Sequence, residues 1–466
     1  MPVRLTKASP QPTRFFDENS RRRGSSLTVV ALTALFLVSG ATSGQTRPQP
    51  KSGSISGRVV ADDGRVLEGV VVSCGSLEGG AGSRTAITDA EGQFSFSGLA
   101  PSAYRLFAYQ GGYVVDASGG MDRVTRIGDI MTLTLTRGGV ITGRVTNATG
   151  APVVAIPVSA SRIKDSEGRA TQSSGSVGSS RQTDDRGIYR LYGLPAGTYH
   201  VIANPINSMG SATAYDFDAP TFHPSSNRET AAEVNVQQGV EATAIDIRYR
   251  DARGSVISGI IEGGPEATST NFGISVRAFS PGGAAIVGSS YGSLVNGVRT
   301  FSMDGVPDGG YDLIAQGSVF NATLDEVFGG APRRVTVRGA DVSGVRLVIT
   351  PRASIAGKVA LEIESVRPEN CPSTRAATLT EIVLRARRDQ KTSSQDYEFF
   401  MPRLGGMVNE QGEFAVRNLG PAPYRLLADL PTEHWYLKTI SMPAATAGRK
   451  VDLGRMPLQA RSGDKI

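Results

Sequence analysis

The sequence predicts an all-β protein in which one sandwich-sized unit occurs four times, and three observations carry that expectation. The first is a spaced element: an aromatic residue, Leu or Val five residues on, Tyr at ten, Leu or Val at twelve and Ala at fourteen. It reads Phe94, Leu99, Tyr104, Leu106, Ala108, and then Tyr189, Leu194, Tyr199, Val201, Ala203. It returns as Phe301, Val306, Tyr311, Leu313, Ala315 and as Phe414, Leu419, Tyr424, Leu426, Ala428, each with a proline close behind the Leu/Val (Pro101, Pro195, Pro307, Pro421). Recurrence of one supersecondary unit marks an array, in which each copy buries its own face. The second observation is period-two alternation within the element, the signature of a half-buried strand. The third is composition: 56 Gly and 25 Pro in 466 residues, with 39% hydrophobic content, suit compact β-domains with many tight turns.

The N-terminus stands apart. Arg21, Arg22 and Arg23 precede the uncharged apolar run Leu27 to Val38, and small residues follow to Gly44. That order has the anatomy of an export signal over residues 1–44, with a linker over 45–52. The run is short for a span of roughly 20 residues, so no integral membrane span is expected once the signal is removed. The expected location is periplasmic, cell-surface or secreted. The leader holds four of the six net positive charges, and the remaining +2 implies no attraction to nucleic acid or anionic membranes.

The four tyrosines lie 95, 112 and 113 residues apart, which divides the rest of the chain into units at 53–137, 138–250, 251–350 and 351–460, with a tail at 461–466. Each unit opens on a short strand ending at glycine: Ile55-Ser56-Gly57, Ile141-Thr142-Gly143, Ile257-Ser258-Gly259, Ile355-Ala356-Gly357. A turn and a valine-rich run follow in the first two. Thr88 to Gly92, Thr183 to Gly187 and Val408 to Gly412 place Asp or Asn three residues before Gly, a spacing that predicts hairpins closed by a left-handed glycine. In the third unit Asn296-Gly297 makes the turn. The element with Tyr follows, and a closing strand (Met131 to Leu135, Ile245 to Tyr249, Val345 to Ile349) leads into the next unit. Outside the leader no stretch has convincing helical periodicity.

These residues resemble a known family. Gly-Arg-Val, a short turn, a valine run, Thr-Asp-x-x-Gly-x-Phe and Leu-x-Pro-x-x-Tyr are similar to the carboxypeptidase regulatory-like domain, related to transthyretin-like (prealbumin-like) and collagen-adhesin B-type sandwiches. The resemblance is strongest over 53–250, fair in the fourth unit and weakest in the third. It implies Ig-like Greek-key sandwiches that act as folding aid, spacer or binding module, and it does not imply peptidase activity. The superfamily includes starch-binding domains. Collagen-adhesin relatives close Lys–Asn crosslinks, but the first and third units contain no lysine, and Lys358 alone sits in a suitable opening strand.

The residues offer little reactive chemistry. The three histidines, His200, His223 and His434, are scattered without the Glu spacing of a zinc peptidase, and His200 is expected on the solvent face of its strand. Gly288-Ser289-Ser290-Tyr291-Gly292 matches the nucleophile-elbow pattern, yet lies in what reads as a Gly/Ser-rich loop with no helix after it. The turn aspartates Asp62, Asp63, Asp184 and Asp185, with Asp216 and Asp218, read as turn chemistry rather than a calcium loop. Cys74 and Cys371 fall in different units, and Cys74 reads as a buried small residue. No metal, cofactor or catalytic residue is expected.

Two aromatic clusters could offer stacking platforms to sugars: Trp435-Tyr436, and Tyr215, Phe217, Phe222 and His223 in the long segment after the second unit. The expectation is therefore a non-catalytic exported scaffold or adhesion module whose partner is a polysaccharide or another envelope protein. The alternatives are a carbohydrate-binding protein and an accessory subunit of a separate enzyme or transporter.

Overall fold

The structure, a computed structural model, describes residues 52–77, 83–115, 123–171, 181–206, 213–265, 272–281, 286–319, 327–361, 378–388, 406–431 and 458–460, the last by backbone only. Residues 1–44, expected to be an export signal, lie outside them, as do Cys371, His434, Trp435 and Tyr436. Regular structure among the described residues is β-strand throughout, apart from one turn of 3-10 helix at Leu379–Glu381. No helix there is long and apolar enough to cross a membrane.

In the first repeat the opening strand Gly53–Ala61 pairs antiparallel with Gln93–Leu99 and parallel with Ile130–Arg137. A second sheet is ordered Arg84–Ile87, Val71–Ser76, Ala103–Tyr109, Thr125–Arg126. Alternation along the strands sends Ile55, Phe94 and Phe96 of one sheet, and Val72, Cys74, Tyr104 and Leu106 of the other, into one shared core. The same plan recurs around Gly139–Thr146, flanked by Ile188–Leu194 and by parallel Glu241–Ala242 and Ile247–Arg248. It recurs again where Ala353–Lys358 pairs with Glu413–Leu419. The protein is thus all-β, with multiple sheets stacked as sandwiches.

The expected hairpins are a correction. The turns form, with Gly92 N donating to Asp89 O at 2.9 Å and Gln93 N to Asp89 Oδ1 at 2.7 Å. The strands on either side, however, belong to different sheets: Arg84–Ile87 pairs with Val71–Ser76, whereas Gln93–Leu99 pairs with Gly53–Ala61. Each turn is a corner between layers. A buried threonine latches it: Thr88 Oγ1 donates to Leu67 O (2.6 Å) and accepts from Val70 N (2.9 Å). Thr183 does the same with Val153 O (2.7 Å) and Ile156 N (3.1 Å).

The third repeat departs in two ways. Asn296 and Gly297, at φ 50° and 77°, close a true hairpin between Ser293–Val295 and Val298–Val306. Val327–Gly329 pairs with both Gly309–Val319 and Val342–Pro351, so the two layers merge into one nine-stranded sheet around the core.

Four hydrophobic clusters hold the described core, one in each repeat, and each contains the tyrosine at position ten of the motif. Tyr104 and Tyr311 are 6% exposed, and Tyr199 and Tyr424 are 0%. Three of the hydroxyls donate to the carbonyl four residues back: Tyr104 to Ala100 (2.8 Å), Tyr199 to Pro195 (2.6 Å) and Tyr311 to Pro307 (2.7 Å). The Leu/Val–Pro segment therefore supplies an acceptor to a phenol that would otherwise be buried unsatisfied.

The glycine of each opening strand has a matching cause. A methyl on Gly57 would lie 2.0 Å from Met131 O and 2.9 Å from the Phe94 ring. On Gly143 it would lie 2.0 Å from Ile245 O, and on Gly259 1.9 Å from Val345 O. On Gly357 it would meet the Phe414 ring at 2.8 Å. The motif aromatic lies over this glycine in all four repeats, and the parallel closing strand presses against it in three.

Candidate functional site

The aromatic segment late in the second repeat packs largely against its own strands, and it buries Phe222, which the sequence offered as part of a stacking platform. Thr221–Phe222 forms a strand against Ile202–Ala203, and Phe222 is 6% exposed. Its ring meets His200 edge-on at 6.1 Å, so His200 is half-buried rather than solvent-facing, and burial lowers its pKa. Tyr215 packs edge-on against Tyr249 at 5.8 Å and donates its hydroxyl to Val154 O at 2.7 Å. His223 Nδ1 lies 2.7 Å from Asp246 O. These side chains hold the segment against its own repeat. Phe217 is the exposed member, with the Arg253 guanidinium 5.4 Å from its ring centre.

The nucleophile-elbow match also sits elsewhere than expected. Ile286–Tyr291 is a strand paired with Phe272–Phe279, not a loop. Ser290 is buried and its hydroxyl donates to the Ser302 carbonyl. Cys74 is buried in the first core, and its thiol is pushed up to about 11 by desolvation. Asp184 accepts backbone N–H groups from Ile188 and Arg186, which holds its carboxyl below the usual range. Asp216 binds Thr213, and Asp218 accepts from the Tyr249 hydroxyl at 2.8 Å. Among the described residues no group of three or more His, Cys, Asp or Glu is placed to hold a metal ion.

Two surface features escape the sequence pattern. The first is a cleft of about 550 Å³ where the first and second repeats meet, bordered by Tyr113, Arg137, Arg190, Tyr192 and Glu241 with glycines between them. Arg190 pairs with Glu241 at 3.0 Å, and that hydrogen bond lowers the carboxyl's pKa. The guanidinium of Arg181 lies 4.7 Å from the Tyr192 ring centre and donates to its hydroxyl. The glycines create the joint: a methyl on Gly138 would lie 2.6 Å from Gly193 Cα. Gly193 is itself one of four equivalent residues, with Gly98, Gly305 and Asn418, that take φ of 62° to 71° just before the motif Leu/Val. A register shift accompanies each against its opening strand, which is bulge geometry. The signal was present as Gly-Leu, Gly-Leu, Gly-Val and Asn-Leu, Asn being the usual non-glycine substitute in left-handed backbone.

The second feature is an apolar row on the outer face of the first repeat. Val71 stands opposite both Ile87 and Tyr109 across three strands, and Phe107 opposes Ser73 beside them. Ile87 is 69% and Tyr109 67% exposed.

Stacked sheets around separate cores, without a converging set of reactive groups among the described residues, define a multi-sandwich β-protein. Residues 54–130 match the carboxypeptidase regulatory-like domain, and that stretch of the chain is a domain of this family. No curated protein matches the chain. Among solved structures, it is similar to the Bacillus anthracis TIE protein at 13% identity and TM-score 0.17, over 64% of this chain and 51% of that one. The chain thus spans about half the length of that protein. It is also similar to GBS52, the minor pilin of Streptococcus agalactiae (14%, TM-score 0.22, 42% of this chain and 96% of that one). A third is BcpA, the major pilin subunit of Bacillus cereus (10%, TM-score 0.15, 64% and 99%).

Proposed function

We propose that this is a non-catalytic, exported protein that acts as a scaffold or adhesion module of the cell surface or periplasm. Its units are transthyretin-like Greek-key sandwiches at 53–137, 138–250, 251–350 and 351–460. The observation that carries this reading is the length of the joints. Strand Ile130–Arg137 is separated from Gly139–Thr146 by Gly138 alone, and Val342–Pro351 from Ala353–Lys358 by Arg352 alone. A one-residue joint between two strands leaves almost no independent motion, so the first and second repeats, and likewise the third and fourth, hold fixed spacing as a spacer or display element must. The buried Ser290, the protonated Cys74 and the packed His200 are built as structural groups, which fits a chain without turnover of its own.

The test is to probe residues 45–466 on an array of envelope polysaccharides and surface proteins, beside a panel of ester and peptide substrates. Retention on an envelope component without hydrolysis is expected. Reproducible hydrolysis that disappears with Ser290→Ala would overturn the non-catalytic reading.

A further inference from the structure

The cleft at the first joint carries binding chemistry that neither the repeat motif nor the matched domain accounts for. Tyr113 and Tyr192 border it and remain part-exposed, and Arg181 holds the Tyr192 ring in place from one side. Apolar ring faces of this kind pack against the C–H faces of sugars. Arg190 and Glu241, paired at 3.0 Å, set donors and an acceptor side by side, as a polyhydroxylated ligand requires. The charges then decide the class. Glu241 neutralises Arg190, and Arg181 is engaged with Tyr192. Arg137, exposed and lying over Gly239, has no acidic partner among the described residues. A guanidinium so placed suits a carboxylate, which it can bind bidentately. The volume of about 550 Å³ lies within the range of about 300–1,000 Å³ typical of small-ligand sites, enough for a short saccharide segment.

We propose that this cleft binds a short stretch of acidic polysaccharide, with a uronate carboxylate on Arg137 and sugar rings against Tyr113 and Tyr192. An acidic peptide would satisfy Arg137 but offers no rigid C–H ring face to Tyr113 and Tyr192. The proposal does not depend on the scaffold reading.

Calorimetric titration of the purified full chain with trigalacturonate tests it, with maltotriose and a glutamate-rich peptide as comparators. Trigalacturonate should bind at least about tenfold tighter than either, since one charge-assisted pair is worth roughly that factor. Arg137→Gln should erase the preference over maltotriose, and because Arg137 is exposed this variant should melt like the parent. Tyr192→Phe should keep most of the binding and Tyr192→Ala should lose it. Absence of trigalacturonate binding, equal binding of maltotriose, tighter binding of the peptide, or indifference to Arg137→Gln would each overturn the proposal. None of these results would touch the joint geometry on which the scaffold reading stands.

Discussion

Arg126 of the first repeat donates its Nε to the main-chain carbonyl of Glu381 in the fourth at 2.9 Å, and its Nη2 to the carbonyl of Asp429 at 3.1 Å. Thr380 Oγ1 adds a bond to Pro101 O at 2.8 Å. The first and last repeats therefore touch. Arg126 is 7% exposed and Glu381 1%, so the contact is dry. Replacing Arg126 with Ala removes charge-assisted bonds worth about 1.5–3 kcal/mol each. The longer joint at residues 249–254, between the second and third repeats, is where the chain can open, so the expected outcome is a larger radius of gyration in small-angle scattering, with each repeat still folded. An unchanged scattering profile would show that the contact does not hold the chain closed.

Tyr199 separates two contributions in one side chain. Tyr199→Phe loses only the bond to Pro195 O and should cost about 0.5–1.5 kcal/mol. Tyr199→Ala also empties a fully buried site and should cost about 3–5 kcal/mol. Because the cores are separate clusters, calorimetry should show one transition lowered and the others in place.

Gly143→Ala tests the close approach of the closing strand. The new methyl would fall 2.0 Å from Ile245 O and 2.9 Å from the Tyr189 hydroxyl, which itself donates to that carbonyl. The parallel strand must move, and a loss of about 1–3 kcal/mol or more is expected in chemical denaturation. Gly150→Ala is not a neutral control despite open space around it, since its φ of +86° strains any side chain. Gly75→Ala, open and without that strain, is the proper comparison.

His200 gives the second repeat a pH dependence whose sign follows from burial. Its folded pKa lies below the ordinary 6.5, so the unfolded chain takes up the proton first. Stability from this group is complete above about 6.5 and declines as pH falls from there toward the lowered folded pKa. His200→Gln should flatten that part of the stability profile. An NMR titration with a His200 midpoint at or above the free value would contradict it.

Cys74 should resist thiol reagents in the native state near neutral pH, because burial pushes its thiol up to about 11 and the residue is only 2% exposed. It should label rapidly once denaturant opens the first repeat.

The chain's own pattern determined the repeat, the all-β class and the residues of each core. Alternation and spacing fix which side chains share a face, and that information is local to each strand. Tyr104, Tyr199, Tyr311 and Tyr424 could be found because one physical job, a phenol tied to a backbone carbonyl inside a small core, recurs at the same spacing. The opening-strand glycines were equally visible, but their purpose was not: it is set by a carbonyl or a ring brought in from a strand or element remote in sequence. Tertiary structure alone decided which strands pair across the Thr88 and Thr183 corners, that the third repeat closes into one sheet, and that Phe222 packs inward. It alone brought Arg137 to Tyr192 and Arg126 to Glu381. Those relations join residues tens to hundreds of positions apart, where no periodicity connects them and only packing brings them together.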